Sequence, residues 1–191
     1  MSKHAKFSAR TAKRAGALVA GAGVLALAGG GVASAASAAG VAEASKTAKP
    51  AAGAKSWVSP IKGKYTFTGK YNQGGARWAA KHSGQDFAVS TGTKVHSVHG
   101  GTVVEAGWGG AYGNNIVVKH KNGLYSQYAH LSKINVKTGE KIKTSEVIGL
   151  SGSTGNSSGP HLHFEIRTTP YYGSAVNPVN FLTDKGVKLH G

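Results

Sequence analysis

Short runs of apolar and polar residues with the character of β-strands occupy most of the chain between residues 57 and 184. One of them, TKVHSVHGGTVVEAGW, is rich in β-branched residues and is interrupted by a glycine pair. Another, NNIVVKHKNGLYSQYAHL, contains two strand patterns joined by Asn122-Gly123, a dipeptide that favours the tight type I′ hairpin turn. EVIGLSGSTG and HLHFEIRT complete the set. Turn residues recur about every ten positions, which predicts an all-β fold.

We therefore predict one all-β domain over residues 57–184, built mainly of antiparallel sheet as a barrel or a sandwich. Helical patterns are weak, and RWAAKH before residue 82 predicts at most a single turn. Residues 39–56 are rich in Ala and Lys and contain no aromatic residue, which predicts a flexible linker. The segment KGVKLHG, residues 185–191, predicts a frayed tail.

The first 38 residues have the pattern of a secretory signal peptide. Five basic residues precede an apolar run at about 15–28, and small residues in A-x-A register follow, so that cleavage after Ala35 or Ala38 is expected. The apolar run is shorter than the roughly 20 residues that a membrane span needs. We therefore predict a secreted protein that is associated with the cell wall and has no stable membrane span after the signal is removed.

The chain is strongly basic and contains no cysteine. Its formal charge is +16, and removal of the five basic residues of the signal leaves about +11. Such a charge attracts polyanions, and nucleic acid is scarce outside the cell. Anionic wall polymers are therefore the expected polyanionic partner, although the basicity could equally serve solubility alone. Without disulfides, the core must be closed by packing or by a metal. We expect a monomer.

Nine histidines are distributed along the chain, and five of them have no pattern that indicates chemistry. These five are His4, His96, His99, His120 and His190. His96 and His99 are three residues apart in a strand region and are expected on opposite faces of the sheet. For all five, a solvated or locally hydrogen-bonded imidazole is the expected state.

The motif GPHLHFE places His161 and His163 on one face of a predicted strand, and Leu162 and Phe164 on the other. The apolar pair indicates the core side, so both imidazoles project outwards into the same space. Two close imidazoles repel each other when protonated, and a divalent metal would keep them neutral. Simple alternation on a solvated strand face is the competing interpretation.

The stretch HSGQDF contains His82 and Asp86 on a predicted loop that runs into a strand. Combined with one histidine of the later pair, they give two nitrogens and one oxygen, the donor set of a catalytic zinc with one open position. A surface ion pair is the alternative for His82 and Asp86. His130, in QYAHLS, is a fourth candidate; alternation places it on the same strand face as Tyr128, with Ala129 and Leu131 on the other.

Together these motifs resemble the lysostaphin/LytM-type zinc metalloendopeptidases, which cut peptide bonds in bacterial peptidoglycan. The resemblance runs from about residue 82 to residue 178 and includes HSGQDFAVSTGTKV, YAHLSKI and VIGLSGSTGNSSGPHLHFE. It implies a β-sheet core that lines an open groove. It also implies that zinc is bound by His82, Asp86 and His163, and that His130 and His161 are catalytic histidines that do not bind the metal.

On this resemblance, zinc lowers the pKa of a water molecule to about 7 and so supplies hydroxide. We assign the general base to His130 and transition-state stabilisation to His161, although the two roles could be shared or exchanged. Glu165 either orients a ligand or pairs with a surface lysine. The loop SGSTGNSSGP either lines the substrate groove or merely connects two strands.

The resulting prediction is a secreted endopeptidase that acts on the cross-bridges or stem peptides of peptidoglycan. The alternative is a non-catalytic wall-binding module or an activator of another hydrolase. The sequence leaves the scissile bond open among glycyl-glycine, D-alanyl-glycine and D-alanyl-diaminopimelate. It also leaves open whether the enzyme remodels its own wall or attacks other bacteria.

Overall fold

The computed structural model of the protein describes residues 57–75 and 80–190. The predicted signal peptide and linker, and part of the predicted turn in RWAAKH, lie outside the described residues. The elements of the described part are β1 Thr66–Phe67, β2 Gln85–Ala88, β3 Lys94–His96, β4 Gly101–Trp108, a 3-10 helix Gly110–Tyr112, β5 Asn114–His120, β6 Tyr125–Leu131, β7 Lys133–Ile134, β8 Lys141–Ile142, β9 Val147–Leu150, β10 His161–Arg167, β11 Ala175–Val176 and α1 Pro178–Asp184.

Two antiparallel sheets form the domain, which confirms the prediction of a mainly antiparallel all-β fold. The larger has eight strands in the order β1-β2-β10-β6-β5-β4-β8, with β11 paired to β10. The smaller has the order β3-β9-β7. Apolar residues of both sheets share one core, which includes Val95 of β3, Ile148 of β9 and Phe164 of β10. The central position of β10, between β2 and β6, places its side chains at the middle of the large sheet.

The apolar residues of β10 face the core, as alternation predicts, and Leu162 and Phe164 are fully buried. Its polar face is not the open space that the pattern suggests, because His163, Glu165 and Arg167 are buried as well. The loop before β2 and the 3-10 helix cover this face, and their side chains bond to Glu165. Only His161, at the start of the strand, is half-buried.

The β5–β6 hairpin is present where Asn122-Gly123 predicts it, but the type I′ turn is wrong. Gly123 has φ +83° and Asn122 is not in the left-handed region, whereas type I′ needs positive φ at both central residues. The amide of Gly123 bonds to the carbonyl of His120, and the amide of His120 bonds to the carbonyl of Leu124. This is the three-residue loop with a glycine bulge, the other common way to close a hairpin.

The predicted arrangement of His96 and His99 on opposite faces of one strand is wrong, because β3 ends at His96. Each of these rings, and that of His120, donates from Nδ1 to a backbone carbonyl. His120 is buried rather than solvated, with 2 % of its surface exposed and its ring 5.0 Å from that of Trp57. His96, His99 and His120 therefore belong to the packing of the domain.

Burial lowers the pKa of His120 to about 4, against the smaller opposing effect of its hydrogen bond to Gly100. In the unfolded chain the pKa of His120 is about 6.5. Between about pH 4 and pH 6.5, the unfolded state therefore binds a proton that the folded state does not bind. This contribution to stability is therefore complete above pH 6.5 and lost as pH falls towards 4, by up to about 3 kcal/mol.

We predict that the free energy of unfolding of the native protein falls more steeply from pH 7 to pH 4 than that of a His120→Gln variant. Urea titrations of both proteins at each pH measure the difference, in which the contributions of all other titrating groups cancel. Equal slopes for the two proteins would show that His120 is protonated inside the fold.

The chain end packs against the domain, so the predicted frayed tail is wrong over residues 185–190. Val187 belongs to the core, and the amide of His190 bonds to the Tyr65 hydroxyl at 2.8 Å. Helix α1 precedes this segment and is not indicated by periodicity. Its start was nevertheless readable, because Asn177 caps the amides of the first turn and Pro178 occupies the first helical position. Within the described residues, no helix is long and apolar enough to cross a membrane.

Candidate metal centre

Strands β2 and β10 bring the three predicted ligands together. Asp86 on β2 is the direct cross-strand partner of His163 on β10, and His82 lies in the loop that leads into β2. Asp86 Oδ1 lies 2.9 Å from His163 Nδ1 and 3.1 Å from His82 Nε2. The two nitrogens are 3.0 Å apart. The predicted loop at HSGQDF is thus the feature that turns His82 towards the sheet.

The outer nitrogen of each imidazole is held by an acceptor, which decides which nitrogen faces the centre. Nδ1–H of His82 donates to the carbonyl of Lys70 at 3.0 Å. Nε2–H of His163 donates to Glu165 Oε1 at 2.8 Å. The nitrogens left over, Nε2 of His82 and Nδ1 of His163, therefore point at each other and at the Asp86 carboxylate. Positive charge is favoured where the two nitrogens and the carboxylate meet.

Asp86, Glu165 and His163 strongly shift one another's pKa values. Burial alone would raise the pKa of Asp86, but its close contacts with the imidazoles of His163 and His82 outweigh burial and hold that pKa well below its usual range. Burial opposes protonation of His163, yet hydrogen bonds to Asp86 and Glu165 raise its pKa to about 9. Either a proton on His163 or a divalent metal that displaces it satisfies both carboxylates.

The donor set fits zinc. It consists of two imidazole nitrogens and one carboxylate oxygen, the combination found in catalytic sites that keep a fourth position open. The separations of 2.9 to 3.1 Å are close to the roughly 3.3 Å between neighbouring ligands of a tetrahedral zinc with bonds of about 2.0–2.1 Å. Among the residues that the structure describes, this is the one group of three or more His, Cys, Asp or Glu residues arranged to hold a metal.

His130 and His161 lie beside this centre, with their rings 4.7 Å apart. His130 Nδ1–H donates to the carbonyl of Thr154 at 2.7 Å, and His161 Nδ1–H donates to the carbonyl of Gly159 at 2.8 Å. Nε2 of His161 is 3.8 Å from Asp86 Oδ1. Burial lowers the pKa of His130 to about 4, helped by the charges of His163 and His161, so its Nε2 is a proton acceptor at neutral pH.

The predicted alternation along β6 fails at His130. Tyr128 and Leu131 both belong to the core, whereas His130 faces the candidate metal centre. The pairing of β6 with β5 contains a bulge at this point, because three steps on β6 oppose two on β5. His130 itself has φ +59°, in the left-handed region. A bulge with such a residue re-aims one side chain, here from the core side to the site, and strain of this kind costs about 1–3 kcal/mol.

A groove of about 570 Å³ runs over the centre. All five predicted site residues line it, and so do Asn156, Ser157 and Ser158 of the loop SGSTGNSSGP. This loop therefore forms part of the groove wall and is more than a connector. The remaining lining residues are Lys81, Ser83, Gly109, Ala111, Tyr112 and Tyr172.

Two residues of the site, Glu165 and Tyr112, have contacts that the sequence does not indicate. Glu165 is not the surface partner of a lysine, since it is fully buried and bonded to His163 and Arg167. Burial would raise its pKa, but the hydrogen bond and charge of His163, together with Arg167, hold that pKa well below its usual range. Tyr112 was not foreseen; no pattern in GGAYGNN sets this tyrosine apart from a residue on a solvated loop.

Glycines allow the backbone to approach the centre closely. A Cβ at Gly84 would lie 2.8 Å from both His163 Cε1 and Glu165 Cγ, and one at Gly69 would lie 2.8 Å from His82 Cε1. Contacts this short do not occur for real side chains, so both positions exclude any larger residue. The carbonyl of Gly69 also accepts the amide of Asp86 at 2.8 Å, which ties the segment before β2 to the centre.

Comparisons with known proteins agree with this geometry. The sequence profile of Peptidase family M23 matches residues 80–178. Glycyl-glycine endopeptidase ALE-1 of Staphylococcus capitis is 41 % identical over 136 residues, which are 69 % of this chain and 36 % of ALE-1. Peptidoglycan DD-endopeptidase ShyA of Vibrio cholerae is 46 % identical over 87 residues, 46 % of this chain and 20 % of ShyA.

A solved structure is similar as well. The catalytic domain of the antimicrobial peptidase lysostaphin from Staphylococcus simulans superposes with a TM-score of 0.59 and 37 % sequence identity. The match covers 62 % of this chain and 92 % of that domain. The chain thus spans nearly the whole of a lysostaphin catalytic domain, but only about a third of ALE-1 and a fifth of ShyA.

Proposed function

This chain belongs to peptidase family M23, and from that premise we propose that it is a secreted zinc metalloendopeptidase that hydrolyses peptide bonds in the cross-bridges or stem peptides of peptidoglycan. One observation carries the proposal. Three ligand atoms converge within hydrogen-bonding distance of one another on the floor of a groove, and two further histidines flank them. The relatives named above as glycyl-glycine and DD-endopeptidases support the choice of peptidoglycan as substrate.

The residues that would hold the metal are His82, Asp86 and His163. When bound, zinc would supply a Lewis acid that makes a water molecule acidic near neutral pH and polarises the scissile carbonyl. The chain fixes the donor atoms before any metal arrives, through Lys70 O on His82 and Glu165 on His163. Little reorganisation of the protein is therefore needed on binding.

His130 is the proposed general base. Its Nδ1–H is committed to Thr154 O, and its low pKa leaves Nε2 unprotonated at neutral pH. Nε2 can therefore accept a proton from the water that attacks the scissile carbonyl. As the C–N bond breaks, that proton passes to the leaving amine, so water is added across the peptide bond.

His161 is the proposed stabiliser of the transition state. The Gly159 carbonyl holds its ring, and Nε2 points towards the region next to Asp86. A hydrogen bond from this nitrogen to the developing oxyanion favours the transition state over the bound substrate. The half-buried ring at the first residue of β10 lies where a peptide in the groove can reach it.

The principal alternative is a non-catalytic wall-binding module. It does not require that His130 adopt a strained conformation or that four histidines share one groove. These features favour the enzyme. The proposal covers all three candidate scissile bonds, because side chains in the loops that line the groove determine which of them is bound for cleavage. Binding of anionic wall polymers by the basic chain also stays a prediction.

We predict that the purified protein binds about one zinc per chain and releases soluble fragments from purified peptidoglycan, and that a chelator stops this release. Excess zinc added afterwards restores it. Mass spectrometry of the new fragment ends identifies the bond that is cut. Binding to peptidoglycan without any fragment release, in protein shown to contain zinc, would favour the non-catalytic alternative.

A further inference from the structure

Glu165 is a fully buried carboxylate with four donors around it. Its Oε1 accepts from Ser83 Oγ at 2.6 Å, from the Tyr112 hydroxyl at 2.8 Å and from His163 Nε2 at 2.8 Å. Its Oε2 accepts from Arg167 Nε at 2.6 Å. A buried charge is tolerated when it is paired and fully hydrogen-bonded, and this one is. Such an arrangement costs more than an apolar core of similar volume, so it calls for a reason beyond packing.

The contact with His163 supplies that reason. His163 and Glu165 are two residues apart on β10, so their side chains share the face of the strand that carries the candidate centre. An ionised carboxylate accepts hydrogen bonds and cannot donate them. Nε2 of His163, which faces Glu165, therefore carries a proton. The other nitrogen, Nδ1, faces Asp86 and His82, where a bound metal would displace any proton that it holds.

The same carboxylate joins His163 to the groove wall. Ser83 follows His82 in the loop before β2, and Tyr112 ends the 3-10 helix. Tyr112 also accepts from Arg167 Nη2 at 3.0 Å, and its ring centroid lies 5.6 Å from that of His163. Three segments that are distant in sequence thus meet on one oxygen atom beside the proposed metal ligand.

We propose that Glu165 is a positioning residue, which fixes the tautomer and the ring orientation of His163 so that Nδ1 is the metal-binding nitrogen. The inference rests on the proposed function, because it assumes that His163 binds a metal. Glu165 acts through His163 and does not itself touch the metal or the substrate. Arg167 donates to the opposite carboxylate oxygen and holds the side chain of Glu165 in place.

The test compares the zinc affinity of the native protein with that of Glu165→Gln, measured by competition with a zinc-binding dye. Loss of such a supporting hydrogen bond typically weakens metal binding about 10- to 100-fold, and we expect a loss in this range. The matched control is Glu140→Gln, the same substitution at a carboxylate directly before β8, which accepts the amide of Lys137 and does not line the groove. Its zinc affinity should equal that of the native protein.

Thermal unfolding of the metal-free proteins separates positioning from stability. If Glu165 only stabilises the fold, Glu165→Gln lowers the unfolding temperature while the zinc affinity stays within threefold of native, and the inference is overturned. A native protein that binds no zinc would instead overturn the proposed function. Nitrogen-15 NMR of the zinc-loaded native protein needs no variant. It should show zinc on Nδ1 of His163 and a proton on Nε2, and the reverse assignment would sink the inference even if Glu165→Gln failed to fold.

Discussion

Replacement of His163 with alanine is expected to abolish both metal binding and peptidase activity. The substitution removes one of three donor atoms and also one hydrogen bond from each of two carboxylates, Asp86 and Glu165. Loss of one partner from a buried charged pair typically destabilises a protein by about 3–5 kcal/mol, so the folded variant should be markedly less stable as well. Zinc content by mass spectrometry, fragment release from peptidoglycan and urea unfolding measure the three effects.

The control for this experiment is His190→Ala, which removes an exposed imidazole at the chain end. It should retain the zinc, the activity and the stability of the native protein. If His163→Ala kept a full equivalent of zinc, the three-residue centre would have to be abandoned, whatever the activity.

Replacement of His130 with alanine is expected to give the opposite combination, with zinc retained and turnover reduced by at least about 10²-fold, as for loss of a general base. His130 supplies none of the three converging ligand atoms, and the hydrogen bond from its Nδ1–H to the carbonyl of Thr154 only orients the ring. Substrate affinity should change less than kcat, because the proton is transferred only in the transition state. Kinetics with a synthetic peptide substrate and zinc analysis of the same sample measure both.

The backbone at His130 requires a second variant. Alanine is unfavourable at φ +59°, so part of any loss could come from a shift of β6. Asparagine tolerates the left-handed region and cannot act as a base at neutral pH, so His130→Asn should fold like the native protein and be as inactive as His130→Ala. Full activity of either variant would transfer the role of base to His161.

Regular periodicity made much of the fold predictable from the sequence. Alternation in HLHFE assigned Leu162 and Phe164 to the core correctly, and turn residues at short intervals gave the antiparallel architecture. Alternation failed where one backbone torsion departs from the strand region. At His130 the left-handed backbone turns the side chain to the opposite face of the strand, and nothing in the sequence around YAHLS indicates that conformation. The turn at Asn122-Gly123 differs from expectation because Asn122 lacks the positive φ that type I′ requires.

The candidate residues were predictable, but the bonds that orient them were not. Residue types and spacing indicate His82, Asp86 and one histidine of the H-x-H pair, the resemblance selects His163, and the structure brings the three together. The acceptors that fix the histidine tautomers are mostly backbone carbonyls, of Lys70, Thr154 and Gly159. A carbonyl is present at every residue, so the sequence carries no sign of which one will be used. Glu165, the acceptor for His163, is the exception, because it is a side chain and is part of the motif GPHLHFE.

The cross-strand pairing of Asp86 with His163 joins residues 77 positions apart. A slip of one residue between β2 and β10 would turn their side chains to the other face and present Phe87 or Leu162 in their place. A misaligned pairing therefore does not bring these two side chains together beside His82. If the three residues bind zinc as proposed, zinc binding requires the native register of β2 and β10, so that uptake of the metal should report correct assembly of the centre of the sheet.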